Sequence, residues 1–67
     1  MQPTADDIIR DQLRLCRLHD RPDLRRYWEA VREWVKAGHN FDIACRVEGY
    51  ARGNGDPAKF RLREPSR

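Results

Sequence analysis

Residues 40–63, NFDIACRVEGYARGNGDPAKFRLR, hold the choice between a mixed and an all-helical architecture. Phe41, Ile43, Cys45 and Val47 alternate with Asp42, Ala44, Arg46 and Glu48, the period-two pattern of a strand with one face buried and the other in water. The stretch Gly53-Asn54-Gly55-Asp56-Pro57 is rich in turn formers. Beyond it Ala58, Phe60 and Leu62 alternate with Lys59, Arg61 and Arg63. The pattern predicts strands over 41–50 and 58–63 joined as a β-hairpin, with 64–67 as a short polar tail.

Upstream the period lengthens to that of helices. Thr4 stands three residues before Asp7 in the spacing of a capping box, and Asp6 and Asp7 suit the positive end of a helix. The first helix is expected over 4–19, gathering Ala5, Ile8, Ile9, Leu13, Leu15 and Cys16 on one arc, with Asp7, Arg10, Arg14 and Arg17 opposite. Asp20-Arg21-Pro22-Asp23 then supplies a new cap and a proline suited to a first turn. The second helix, over 22–37, carries Leu24, Tyr27, Trp28, Val31, Trp34 and Val35 on one stripe and ends at Gly38, a residue that enters the left-handed conformation at little cost. Two amphipathic helices with a short joint form an antiparallel hairpin. The expected fold is therefore α+β: a helical hairpin followed by a two-stranded antiparallel β-hairpin, in one small domain over 1–67.

A competing reading makes 40–49 a helix and starts another at Asp56-Pro57, which gives a helix-turn-helix. Four residues separate Ala44 from Gly49 where that motif wants three, and the alternation would go unexplained. A hairpin after helices is also similar to the end of a winged-helix domain, but the third helix that enters the groove is missing from this reading, so no family is implied.

A chain of 67 residues that is 39% hydrophobic and 37% charged can bury only a small core, and oligomerisation into a homodimer is the expected remedy. Two cysteines, Cys16 and Cys45, neither in a metal-like pair, suit a reducing cytoplasm and buried thiols. The opening residues, MQPTADDIIRDQ, hold acids where a signal peptide or a membrane span needs an apolar run, so no membrane association is expected. His19 and His39 are placed to close the two helices, and no convergent set points to a metal, a cofactor or catalysis.

Function is then sought in surfaces. The net charge of +3 and a pI near 9.3 suit DNA, RNA or an acidic protein. On the hairpin reading Arg46, Arg52, Lys59, Arg61 and Arg63 cluster on the ribbon, where they would contact phosphates, with Asp42, Glu48 and Glu64 diluting the charge. The leading expectation is a small non-catalytic nucleic-acid-binding accessory or regulatory protein. The alternative is a protein-interaction module or inhibitor of phage or plasmid type, which docks on a larger nucleic-acid-handling complex. Its contact face would be built from Arg26, Tyr27 and Trp34.

Overall fold

The computed structural model describes residues 3–63; the polar tail expected over 64–67 lies outside them. The first helix, α1, spans Ala5–Leu18, and the capping box is present as its spacing predicts: Thr4 Oγ1 accepts from the Asp7 amide and Asp7 accepts from the Thr4 amide. Ile9, Leu15 and Cys16 are buried along its inner face, joined by Gln12, the one buried polar side chain among the described residues. The helix closes in a Schellman turn, with the Arg21 amide donating to Cys16 O at 2.8 Å and Asp20 in the left-handed region at φ 54°. Asp20 therefore ends α1. The cap expected for the next helix is not supplied by its side chain, and Arg21 holds that N-cap position without a side-chain hydrogen bond.

The second helix, α2, spans Pro22–Lys36 with the proline in its first turn. Leu24, Tyr27, Trp28 and Val31 are buried, as their stripe predicts. Gly38, at φ 99°, continues the end of α2 into a second Schellman turn: its amide donates to Val35 O, the His39 amide donates to Trp34 O, and the His39 ring meets Trp34 edge-on at 4.6 Å.

Here the expected fold is overturned. Residues 41–50 form no strand; Phe41–Ala51 is a third helix, α3. Asn40 caps it, its Oδ1 accepting from the amides of Asp42 and Ile43 at 2.8 and 3.2 Å. Helical spacing turns Phe41, Ala44, Cys45, Glu48 and Gly49 inward, and Ala44, Cys45 and Gly49 are buried. The apparent alternation arises because α3 is apolar on two sides. Phe41 and Cys45 face the core, whereas Ile43 and Val47 face away from it.

The second expected strand, 58–63, is also absent. Asn54 accepts from the Asp56 amide, Asp56 accepts from the Ala58 amide, and Pro57–Phe60 closes a 3₁₀ turn. Arg61 is extended, and residues 61–63 find no strand to pair with among the described residues; side chains serve instead. Gln12 grips both backbone groups of Leu62, donating to its carbonyl at 3.1 Å and accepting from its amide at 2.8 Å. The Trp28 indole donates to Phe60 O at 3.0 Å. Phe60 stacks on Tyr27 with ring centroids 4.3 Å apart, and the Tyr27 hydroxyl donates to Cys45 O. The domain is thus three helices and a strap, with no sheet among the described residues and no β-hairpin to carry a basic face.

The Cα trace spans 35 × 31 × 17 Å, a slab. α2 packs against α1 on one side and α3 on the other. A slab of this kind covers each outer helix along one flank only, and leaves the far flank of α3 open.

Candidate interaction face

Ile43, Val47 and Tyr50 stand at positions i, i+4 and i+7 of α3, so they form one line along the helix. They are 59, 41 and 70% exposed. A single exposed apolar residue is ordinary, whereas three aligned on one helix make this flank of α3 a candidate binding surface. Arg46 lies one step around the helix from Ile43 and Tyr50, is exposed, and adds a cation to the edge of the line.

The line is backed by the 53–56 loop. Gly49 lies on the inner side of α3, where a Cβ would come within 2.5 Å of Asn54 O and 3.2 Å of the Phe60 ring. This close approach lets the Asn54 amide donate to Gly49 O at 2.9 Å and fold the loop against the helix. The Tyr50 ring lies over Gly55 of that loop, so the outermost aromatic has a backbone support. Arg52 donates to the Glu48 carbonyl, pairs with the Glu48 carboxylate at 3.6 Å and sits 5.6 Å from the centre of the Tyr27 ring.

These contacts reassign the residues expected to act together. Of the five cations placed on a ribbon, Arg52 is turned inward onto Tyr27 and Glu48, and Arg46 belongs to the outer side of α3. Lys59 is exposed on the 3₁₀ turn, and Arg61 and Arg63 border a shallow depression of about 380 Å³ with Gln12, Ala58 and Leu62. The hairpin expected to gather them is absent among the described residues. Arg26 is exposed and borders a separate depression of about 600 Å³ with Asp23, Leu24, Ala51, Arg52 and Phe60. Tyr27, expected at a partner surface, is fully buried between Trp28 and Phe60 because the strap closes over it. Trp34 is half-buried against His39 and retains only a partial outward edge.

The chain matches no protein-family model, no curated protein and no solved structure.

Cys16 and Cys45 are free, buried thiols; burial is the main cause that pushes both above the ordinary thiol range. Burial likewise raises the Tyr27 phenol, helped by its hydrogen bond to Cys45 O. No group of three or more His, Cys, Asp or Glu among the described residues could hold a metal ion, and no described helix is long and apolar enough to cross a membrane.

Ile43, Val47 and Tyr50 were not legible as a surface, because the period-two pattern assigned Ile43 and Val47 to a core. The available signal was Asn40, a strong N-cap residue, placed directly ahead of a segment whose i, i+3 and i+4 positions are Phe41, Ala44 and Cys45.

Proposed function

We propose that the protein is a small interaction module that presents α3 to another protein, the occupant being an apolar groove rimmed by carboxylates. The observation that carries this reading is the aligned, exposed trio Ile43, Val47 and Tyr50. An amphipathic helix laid into a groove is recognised through side chains at this i, i+4, i+7 spacing. Arg46 beside the trio, and the positive balance of the whole chain, select a negative rim.

A second copy of the chain fits the face less well. An antiparallel pairing about a two-fold axis near Val47 would set Arg46 against its own copy, and like charges so placed repel.

The test is site-specific photocrosslinking in the native host, with benzoylphenylalanine at Val47 and, as the control on another face, at Lys36. A single protein adduct at position 47 that is absent at position 36, lost with Ile43→Asp and weakened by Arg46→Glu, supports the reading. Adducts to nucleic acid, adducts to a second copy alone, or identical adducts from both positions refute it.

A further inference from the structure

The 53–56 loop that backs α3 carries the dipeptide Asn54-Gly55. Asn54 Oδ1 accepts from the Asp56 amide at 3.0 Å, which closes an Asx turn across Gly55. The Gly55 amide itself donates to no acceptor among the described residues. Both residues are half-buried, so neither is sealed from water. Asn40 is the other asparagine of the chain. Its Oδ1 likewise accepts from the amide two residues on, at 2.8 Å, but the residue that follows it is Phe41, whose side chain crowds its own backbone nitrogen.

We propose that Asn54 is a site of spontaneous deamidation in the folded protein. The Gly55 nitrogen attacks Asn54 Cγ, and the new bond closes a five-membered succinimide. The bond from Cγ to the side-chain nitrogen breaks, and that nitrogen takes the proton given up by Gly55 and leaves as ammonia. Water then opens the ring at one of its two carbonyls to give aspartate or isoaspartate, with no change of oxidation state. Negative charge develops on Oδ1 in the first step, and the Asp56 amide is already aimed at that atom, as a donor in an oxyanion hole is. Glycine has no Cβ to crowd the attacking nitrogen. Nor does the fold leave room for one at this position, since it would fall 2.7 Å from Tyr50 Cζ and 3.0 Å from Tyr50 Oη. The close packing that supports Tyr50 therefore imposes the labile step. Isoaspartate lengthens the backbone by one methylene between residues 54 and 55, which draws Gly55 off the Tyr50 ring and loosens the backing of α3. The chemistry stands whether or not α3 docks on a partner.

The experiment incubates the full chain at pH 8, folded and in parallel unfolded in guanidinium chloride, and follows both asparagines by peptide mapping in a mass spectrometer, with isoaspartate read by isoaspartyl methyltransferase labelling. Conversion at Asn54 to both aspartate and isoaspartate is expected, with Asn40 intact. The unfolded fraction of a folded domain, about one part in a thousand or less, would convert at no more than about a thousandth of the unfolded rate. The folded chain is expected to exceed about one-hundredth of that rate, which requires reaction in the native loop. A slower folded rate, aspartate as the sole product at position 54, or equal conversion at Asn40 would overturn the site. In the separated isoaspartate form, the nuclear Overhauser contact between the Gly55 α-protons and the Tyr50 ring, expected in the parent, should be lost. Its persistence would overturn the loosening of α3.

Discussion

Gly49→Ala is expected to destabilise the domain by about 2 kcal/mol, although the same exchange within an ordinary helix stabilises by about 1 kcal/mol. The sign reverses because of what the added methyl meets. It would lie 2.5 Å from Asn54 O, a backbone atom, and 3.2 Å from Phe60 Cε2. The loop cannot yield freely, since the Asn54 amide is bonded to Gly49 O and Phe60 is stacked on Tyr27. Overpacking of this kind costs about 1–3 kcal/mol. Shifting the loop also weakens the Asn54 hydrogen bond, worth about 1 kcal/mol. Set against the propensity gain, these leave a net loss near 2 kcal/mol, or roughly 10 °C in a domain this small. Urea denaturation followed by tryptophan fluorescence and a thermal melt by circular dichroism both read it. A variant as stable as the parent, or more so, would show that α3 does not press against the 53–56 loop, and would remove the support argued for Tyr50.

Ile43→Glu and Tyr50→Glu should each change stability by less than about 0.5 kcal/mol, as surface substitutions do; a loss of 2 kcal/mol or more in urea titration would mean that these residues belong to the core. Asp20→Gly should raise stability by about 1 kcal/mol, because glycine relieves a left-handed residue and a carboxylate is removed from the negative end of α1; a lower melting temperature would contradict the Schellman turn. The fold holds the Cys16 and Cys45 thiols and the Tyr27 phenol in their protonated forms, so stability is full below their ordinary values of 9.0 and 10.0 and declines as pH rises through the raised folded-state values. Chemical denaturation between pH 7 and 11 checks this, and a Cys45→Ala variant that loses stability with pH as steeply as the parent would remove Cys45 as a cause.

The two helices of the hairpin were legible because each is apolar on one side only and its end signals are local: Thr4 with Asp7, Pro22, and Gly38. The third was misread because periodicity reveals a helix only when one face is apolar. Phe41, Ala44 and Cys45 point in while Ile43 and Val47 point out, and their superposition mimics a strand. The feature that hid the helix is the same one that makes it a candidate surface. The strap was beyond local reading for another reason: its backbone is satisfied by Gln12 and Trp28, whose partners lie 50 and 32 residues away in sequence. A polar glutamine on an otherwise apolar arc was a signal in principle, yet nothing near it in the chain says what it must hold.

The bonds from Gln12 to Leu62 and from Trp28 to Phe60 also act as a check on assembly. An amide and an indole N–H buried in an apolar interior are tolerable only when their acceptors arrive, and those acceptors reach them only after α3 has docked on α2 and the 53–56 loop has folded over Gly49. A misdocked third helix therefore leaves buried polar groups unpaired on two other helices at once. Correct packing of α3 is in this way tied to hydrogen bonds made by side chains of α1 and α2, which adds to a domain with little core a coupling between its helices that its apolar contacts alone would not impose.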